Sequence, residues 1–325
     1  KNYFFKLSGY QEKLIKLIEN DELEIVPITR KNEILIFLKS GLKDISISRS
    51  NERAKNWGVP VPGDDSQRIY VWFDALNIYQ SGVGFGWDEE KYKKWWPADL
   101  HVIGKGITRF HAVYWPAFLM SAGLELPKKI FVHEYFTVNG QKMSKTLGNV
   151  FDPVPLVDTY GADALRYYCL AKISPFTDGD FSEDKFKEAY SSDLVNGVSN
   201  LLARTTALCE KYGGYPYDKI KHPNLLWTSV SNEIEAFRFD KALWLIWEVV
   251  RNTDELLSNK KPWSIDLTNE DSKLAYQIIL DTAINNLRHV GECLKPFLPE
   301  TAEMMLRSLT GPSIRRGENL FNRLG

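Results

Sequence analysis

The stretch Leu100-His101-Val102-Ile103-Gly104-Lys105-Gly106 decides the fold of the first part of this chain. Its first four residues form a short apolar run of the kind that a buried parallel strand requires, and the glycines around the lysine turn the chain out of it. Ile107, His111 and Trp115 then follow at intervals of four residues, which places them on one face of a predicted helix. The order strand, turn and helix is typical of an α/β sheet.

Two further stretches predict a doubly wound (Rossmann-like) sheet. Residues 69–73 and 129–133 are short apolar runs that predict two more buried strands. Asp74 directly follows the first of them and is a candidate N-cap for a helix that carries Ala75 and Tyr79 on one face. The ligands of such a sheet bind beyond the carboxyl ends of its strands, so a binding site is expected there.

The regions on either side of these strands have helical patterns. Residues 1–50 carry apolar side chains at helical spacing and are interrupted at Pro27 and Gly41. Beyond residue 180 the strand signals stop and long amphipathic helices are predicted, over roughly residues 183–212, 224–259, 269–294 and 299–309. The sequence therefore predicts an α/β region followed by an all-α bundle.

The composition limits the classes to which the protein can belong. The 325 residues carry a net charge of -1, so a polyanionic partner would have to bind a local basic patch. The longest apolar run has nine residues, whereas a membrane-spanning helix needs about 20. The three cysteines and five histidines are widely separated. This predicts a reducing, cytoplasmic location and no zinc or other metal site built from this chain alone.

A lysine-containing loop is the strongest chemical signal in the sequence. Asn139-Gly140 predicts a hairpin turn, which leads into Lys142-Met143-Ser144-Lys145-Thr146. Two lysines on either side of a small hydroxyl residue can bring two ammonium groups onto a polyphosphate and stabilise the charge that develops on leaving pyrophosphate. The alternative interpretation is a solvated basic turn that binds nothing.

This loop resembles the Lys-Met-Ser-Lys-Ser signature of the class I aminoacyl-tRNA synthetases, and the residues beside it resemble the methionyl-tRNA synthetase family. Five other stretches are similar to that family and occur in its order; they are residues 44–49, 57–63, 71–76, 109–119 and 161–168. Together these stretches extend over nearly the whole chain. The resemblance implies the second half of a class I catalytic domain, followed by a helical-bundle anticodon-binding domain.

The resemblance divides the chain into four segments. Residues 1–60 would be the exit of a connective region, and residues 61–135 the second half of the Rossmann-like catalytic domain. Residues 136–182 would hold the signature loop and a region that contacts the tRNA stem. Residues 183–325 would form the α-helical anticodon-binding domain.

The resemblance also implies a reaction. The family uses ATP with Mg²⁺ to convert L-methionine to methionyl-adenylate, and then transfers the methionyl group to tRNA(Met). Lys142 and Lys145 would be the catalytic lysines that contact the ATP phosphates, with Met143 and Ser144 completing the ATP-binding loop. Little covalent chemistry is left to the protein, because positioning and charge stabilisation carry such transfers.

A methionine pocket is implied by residues that follow two of the predicted strands. A thioether packs well against aromatic rings, and His111 would add a neutral polar group that favours a thioether over a purely aliphatic side chain. The simpler interpretation of Trp72 and Trp115 is that they fill the core. The pocket of the family corresponds here to Val71, Trp72, Ala75, Tyr79, Ile107, His111 and Trp115.

Three residues in the helical region are implied to bind the tRNA anticodon. Asn200 and Arg204 lie four residues apart on a predicted helix, and Trp263 lies in a break between two helices. The resemblance makes them the residues that read the anticodon CAU, since splayed bases are recognised by stacking and by hydrogen bonds along their edges. The alternatives are a solvated helix face for Asn200 and Arg204, and helix-end packing for Trp263.

Three positions depart from the pattern of the family. Gly106 replaces an acidic residue that usually follows Gly-Lys, Glu134 replaces a glycine that usually precedes the hairpin, and Thr146 replaces the last serine of the signature. Gly106 leaves open whether a polar contact to the substrate is lost or is supplied by another residue.

The second signature of the class, His-Ile-Gly-His, has no counterpart, because no His-x-x-His occurs in the sequence. We therefore expect the C-terminal part of a larger or split synthetase. It would need the N-terminal half as a partner, in the same polypeptide or as a separate chain, and would be inactive alone. The alternatives are a non-catalytic tRNA-binding module and a synthetase for another apolar amino acid.

Overall fold

The computed structural model describes residues 2–138, 140–144, 146–215, 224–311 and 313–323. The chain divides into two units, Lys1–Glu134 and Tyr135–Gly325. The first unit combines strands and helices, and the second is mainly helical. An α/β part followed by a helical part agrees with the fold class predicted from the sequence.

The first unit contains eight short strands and seven α-helices among the described residues. The strands are β1 Phe4–Phe5, β2 Glu24–Val26, β3 Ile45–Ser46, β4 Ser48–Ser50, β5 Pro60–Val61, β6 Asp64–Ile69, β7 His101–Gly104 and β8 Lys129–His133. The helices are α1 Gln11–Glu19, α2 Ile28–Lys39, α3 Asn51–Ala54, α4 Val71–Ala75, α5 Ile78–Ser81, α6 Glu89–Trp95 and α7 Trp115–Ala122.

A three-stranded parallel sheet has the order β2-β8-β7. The middle strand β8 pairs in parallel with both neighbours, and Ile130 of β8 lies opposite His101 of β7. Ile25, Ile103 and Ile130 are buried in one core cluster with helices α1 and α2. The strands predicted at residues 100–103 and 129–133 are therefore confirmed, and their carboxyl ends lie at one edge of the sheet.

The strand predicted at residues 69–73 is wrong. β6 ends at Ile69 and belongs to an antiparallel sheet with β4 and β5, and the chain then enters helix α4. Asp74 lies inside that helix, whose N-cap is Tyr70. A short apolar run fits a strand or a buried helical turn equally well, and the helical turn places Trp72 against Phe110 with 4.1 Å between ring centroids. The third parallel strand is β2, in a region predicted only as helical.

The second unit carries a small sheet and a large helical part. Its strands are β9 Phe136–Val138, β10 Gln141–Lys142 and β11 Gly179–Phe181. Its α-helices are α8 Val154–Tyr160, α9 Ala162–Ala171, α10 Glu183–Ala189, α11 Asn200–Lys211, α12 Leu225–Glu235, α13 Phe239–Lys260, α14 Glu270–Leu294 and α15 Pro299–Ser308, with a π-helix at Tyr190–Ser199 and a 3-10 turn at Pro262–Ser264. One continuous apolar core joins these helices.

Two of the long helices predicted in this unit are divided. The segment predicted at 224–259 consists of α12 and α13, because Phe237 between them has a left-handed φ of 57°. The segment predicted at 183–212 passes through the π-helix, within which Gly197 has non-helical backbone angles. Apolar periodicity continues across such breaks, since both parts pack on the same core.

The family-like stretch at residues 161–168 connects helix α9 to the segment between α14 and α15. Asp163 is buried and accepts a hydrogen bond of 2.7 Å from the backbone nitrogen of Thr301, in the first turn of α15. Arg166 donates to the backbone oxygens of Phe297 and Pro296 at 2.6 and 3.0 Å. These contacts connect α9 to the end of α14 and the start of α15. In the part of the chain that the structure describes, no helix combines the length and apolar character needed to span a bilayer.

Candidate active site and anticodon-reading surface

The buried imidazole of His111 is the centre of the first candidate site. It lies in a π-helical turn, Phe110–Tyr114, between β7 and α7. Its Nδ1 is 3.0 Å from the carbonyl oxygen of Ile107, and its Nε2 is 2.8 Å from the hydroxyl of Tyr79. Burial lowers the pKa of His111, so the ring is neutral; Nδ1–H donates to Ile107 and Nε2 accepts from Tyr79. Burial raises the pKa of Tyr79, which keeps its hydroxyl protonated as a donor.

Aromatic rings surround this hydrogen-bonded pair. The ring of Tyr79 lies 4.4 Å from His101, 5.5 Å from His111 and 6.4 Å from Trp115, between centroids. Trp96 lies 6.5 Å from His101 and 6.1 Å from Trp115. We call these five residues the aromatic cluster. His101 and Trp96 were not predicted as site residues. His101 is marked in the sequence as the polar residue in the apolar run of β7, whereas no pattern marks Trp96.

Two nitrogen atoms in the aromatic cluster have no hydrogen-bond partner among the residues that the structure describes. They are Nε2 of His101 and Nε1 of Trp115, and both are buried. Burial, with a smaller contribution from His111, lowers the pKa of His101 to about 4, so this ring is also neutral at pH 7. Buried polar atoms are normally paired. The aromatic cluster therefore keeps hydrogen-bonding capacity that its own side chains do not use.

The structure brings together only part of the predicted methionine pocket by direct contact. Tyr79, Ile107, His111 and Trp115 are joined by the hydrogen bonds and ring contacts described above. Trp72 is half-buried, and it stacks on Phe110, the residue before His111. The remaining two residues are exposed on the adjoining helix α4; they are Val71 and Ala75. The assignment of all seven to a methionine pocket stays a prediction.

Three charged residues meet at the carboxyl edge of the parallel sheet. Glu134, directly after β8, accepts hydrogen bonds from the guanidinium of Arg30 and lies 2.8 Å, from Oε2 to Nζ, from Lys105. Arg30 also pairs with Glu33 at 2.6 Å. Gly106, beside Lys105, is exposed. Gly106 and Glu134, two of the departures from the family pattern, therefore lie on either side of Lys105. Lys105 pairs with the carboxylate of Glu134, although residue 106 has no carboxylate.

Asp180, which was not predicted as a site residue, holds the base of the signature loop. Strands β9 and β10 form the predicted hairpin, and β11 lies parallel to β9. Oδ1 of Asp180, in β11, accepts from the backbone nitrogen of Gly140 at 2.7 Å and from the hydroxyl of Thr137 at 2.9 Å. These hydrogen bonds, that from Gly140 first, lower the pKa of Asp180. No residue pattern near Asp180 marks this contact, because it joins residues 40 positions apart.

The loop itself keeps its lysine exposed. Nζ of Lys142 lies 5.2 Å from the ring centroid of Tyr135, and its backbone oxygen accepts from the side chain of Asn149. Oδ1 of Asn149 accepts from the nitrogen of Ser144 at 2.8 Å, so this asparagine closes the loop. Met143 is half-buried. The second predicted catalytic lysine, Lys145, and the turn residue Asn139 lie outside the described residues.

The helical unit brings two of the three predicted anticodon residues together. The guanidinium of Arg204, on α11, lies 5.4 Å from the ring centroid of Trp263 and forms an ion pair with Asp254 of α13. Nζ of Lys211 donates to the backbone oxygen of Trp263 at 2.8 Å. Asn200 is exposed one turn before Arg204 on α11. Trp263 is 47% exposed, so one large aromatic surface next to a cation is open to solvent.

The parallel sheet, the lysine-containing hairpin loop and the following helical unit are the features that the resemblance to the class I aminoacyl-tRNA synthetases implies. The family model described as "tRNA synthetases class I (M)" matches residues 1–206, which is more than half of the chain. The chain thus belongs to this family, that of the methionyl-tRNA synthetases. The fold class and the family predicted from the sequence are confirmed.

Relatives and solved structures agree with this assignment. A methionine–tRNA ligase from Thermotoga maritima is 40% identical over 333 residues, covering 99% of this chain and 52% of the relative. A methionine–tRNA ligase from Clostridium acetobutylicum is 40% identical over 352 residues, and the match covers 99% of this chain and 54% of the relative. The methionyl-tRNA synthetase of Mycobacterium tuberculosis in complex with methionyl-adenylate is 34% identical, with a TM-score of 0.91 over 99% of this chain and 69% of that chain. This chain thus spans about half the length of the curated relatives that it matches.

Proposed function

We propose that this chain supplies the methionine pocket, the ATP-binding loop and the anticodon-reading surface of a methionyl-tRNA synthetase. That enzyme would activate L-methionine with ATP and transfer it to tRNA(Met). The observation that carries the proposal is the neutral Tyr79–His111 pair inside the aromatic cluster. A relative of the same fold forms a complex with methionyl-adenylate, which supports a role for this fold in binding the activated amino acid.

The aromatic cluster suits the side chain of methionine. A thioether gains energy from contact with aromatic rings, and it is a weak hydrogen-bond acceptor. The hydroxyl of Tyr79 donates a hydrogen bond to Nε2 of His111, and Nδ1–H of the same ring donates to the carbonyl oxygen of Ile107. The pair therefore stays neutral and fixed in orientation, and it offers no counter-ion to a charged side chain that enters the pocket.

The signature loop would act on the phosphates. In the proposed reaction, the methionine carboxylate attacks the α-phosphorus of ATP, the bond to the bridging oxygen breaks, and pyrophosphate leaves. Lys142 and Lys145 would stabilise the charge that develops on pyrophosphate, with Met143 and Ser144 shaping the loop. The described residues contain no group of three or more His, Cys, Asp or Glu side chains able to hold a metal ion. Mg²⁺ would reach the site bound to the ATP phosphates, which are the ligands that it usually shares with a protein.

We expect methionine-dependent ATP–pyrophosphate exchange to be absent with the 325-residue chain alone. It should appear when a polypeptide carrying the His-Ile-Gly-His signature of the family is added, because that signature has no counterpart in this sequence. Exchange by the chain alone would contradict the need for a partner. A combined sample that binds tRNA but performs no exchange would instead support the alternative of a non-catalytic tRNA-binding module.

The proposed anticodon surface makes a separate prediction. We expect Trp263→Ala to weaken binding of an RNA hairpin with a CAU loop about 10-fold, because one base loses its stacking partner. Binding of a hairpin with a GAU loop should change little, so that discrimination falls. Fluorescence anisotropy with labelled hairpins measures both affinities.

The matched control for this experiment is Trp244→Ala. Trp244 is also an exposed tryptophan of the helical unit, with the guanidinium of Arg251 6.0 Å from its ring centroid. It is not part of the proposed surface, so its loss should leave both hairpin affinities unchanged. Equal losses in the two variants, or full discrimination by Trp263→Ala, would refute the assignment of Trp263.

The cysteines are consistent with the proposed cytoplasmic location of such an enzyme. Cys169, Cys209 and Cys293 are all free, and burial raises the pKa of each, to about 12 for Cys209 and about 11 for Cys293. Buried thiols of high pKa are unreactive, and unpaired cysteines are typical of a reducing compartment.

A further inference from the structure

Arg204, one of the residues proposed to read the anticodon, is held by a carboxylate from another helix. Its Nη1 donates to Oδ1 of Asp254, on α13, and the two side chains form an ion pair across 50 positions of sequence. The same guanidinium lies 5.4 Å from the ring centroid of Trp263. One cation therefore links α11, α13 and the 3-10 turn that follows α13.

The turn of α13 that carries Asp254 is anchored in the core of the helical unit. Thr253, the preceding residue, is only 1% exposed. Its hydroxyl donates to the backbone oxygen of Val249 at 2.7 Å and accepts from the side-chain nitrogen of Asn286, on α14, at 3.0 Å. Buried polar side chains with satisfied hydrogen bonds make their surroundings rigid. Asp254 therefore faces Arg204 from a backbone that is fixed in place.

The turn that carries Trp263 is also held by hydrogen bonds. Lys211, at the end of α11, donates to the backbone oxygen of Trp263 at 2.8 Å. The hydroxyl of Ser264 donates to the backbone oxygen of Lys261 at 2.8 Å, which closes the turn. Since the backbone on both sides is fixed, the place of the guanidinium beside the exposed indole depends on its contact with Asp254.

The exposure of the ion pair decides what it contributes. The side chains of Arg204 and Asp254 are 29% and 44% exposed. An ion pair with this much access to water adds little to the stability of a protein. It does restrict a long side chain that has many rotamers, and whose charge would otherwise be drawn to any phosphate of an RNA loop. Asp254 therefore controls where the guanidinium lies more than it stabilises the fold.

We propose that Asp254 is a positioning residue of the anticodon-reading surface: it holds the guanidinium of Arg204 beside Trp263, where it can donate to the edge of a base. A guanidinium without this partner would contact phosphates, which carry no sequence information. Asp254 itself would touch no base and would act through Arg204. The inference rests on the proposed function, because it takes the anticodon as the ligand of this surface.

The experiment compares RNA hairpins with CAU and GAU loops. Fluorescence anisotropy gives the dissociation constant of each labelled hairpin for the 325-residue chain, and the ratio of the GAU value to the CAU value measures discrimination. Asp254→Asn should lower this ratio about 5-fold, because the released guanidinium favours phosphates over base edges. The Tm of the variant should equal that of the parent, since an exposed ion pair contributes little to stability.

A matched control and a double variant make the test specific. Glu255 follows Asp254 on α13 and is exposed. Glu255→Gln removes the same charge from the same helix and keeps the contact between Asp254 and Arg204, so the ratio should not change. Arg204→Gln should lower the ratio by itself. Adding Asp254→Asn to it should lower the ratio no further, because the carboxylate acts through this guanidinium.

The outcomes separate this inference from the proposed function. The parent's ratio in Asp254→Asn, an equal loss in Glu255→Gln, or a further loss in the double variant would each overturn the role of Asp254. If Trp263→Ala loses discrimination and Asp254→Asn keeps it, the anticodon-reading surface stands and only the positioning role fails. If the parent chain does not distinguish the two hairpins, the surface itself is refuted, and the role of Asp254 with it.

Discussion

Lys142→Ala should lower methionine-dependent pyrophosphate exchange about 100- to 1000-fold in the sample completed with the His-Ile-Gly-His polypeptide. Lys142 is exposed at the end of β10, and its ammonium group lies 5.2 Å from the ring centroid of Tyr135, a contact that it can leave at little cost. A donor that acts on charge developing in the transition state contributes about 3 to 4 kcal/mol to catalysis. We therefore expect kcat to fall far more than the KM for ATP rises.

Two further variants distinguish this role from a general effect of charge. Lys142→Arg keeps the positive charge and should retain part of the activity. Lys187→Ala removes an exposed lysine of α10 that pairs with Glu183 at 2.8 Å, and it should leave exchange unchanged. If Lys142→Ala keeps the kcat of the parent, Lys142 has no catalytic role. If it changes only the KM for ATP, the lysine contributes to binding and not to the transition state.

The stability of the unit that contains His101 should fall as the pH drops. Burial lowers the pKa of His101 from 6.5 to about 4, so the unfolded chain takes up a proton on this ring before the folded protein does. The stabilisation is fully present above pH 6.5 and is lost progressively between that value and about pH 4. From pH 7.5 to pH 4.5 the loss due to this one group is about 2 to 3 kcal/mol.

The variant His101→Phe tests this contribution. A phenyl ring keeps the aromatic contacts with Tyr79 and Trp96 but cannot be protonated. The free energy of unfolding, measured in urea at several pH values, should therefore fall less steeply in the variant than in the parent. His133→Phe, at an exposed position on β8, controls for the replacement of an imidazole by a phenyl ring. Parallel pH profiles for the parent and His101→Phe would show that His101 is not a buried neutral base.

Much of the first unit could be predicted from short stretches of sequence. The mainly apolar runs at residues 100–103 and 129–133 form parallel strands. β8 buries Ile130, Phe131 and Val132 in succession, as a strand covered on both faces does, whereas Val102 of β7 is exposed. The same reasoning failed at residues 69–73, where the apolar residues pack from a helical turn. A run of this length has no period of its own, so contacts with Phe110 and other distant residues decide its conformation.

Some residues of the candidate sites could be predicted from the sequence, and others could not. His111 was found because its spacing with Trp115 places both on one buried face, and the structure adds the hydrogen bond to Tyr79. His101 was missed, since a single polar residue in a strand carries no periodic signal. Asp180 was missed as well, because it reaches the hairpin across 40 positions of sequence.

The sequence by itself determined the class of the protein, through the Lys142-Met143-Ser144-Lys145 loop, the parallel strands and the order of family-like stretches. The loop and the strands can be recognised from neighbouring residues, and the order of the stretches can be read along the chain, so none of these features depends on contacts between distant residues. Only the tertiary structure showed that Glu134 pairs with both Arg30 and Lys105, which are 104 and 29 positions away. The partner of a buried charge depends on which strand ends lie side by side, and that order is set by packing of the whole sheet.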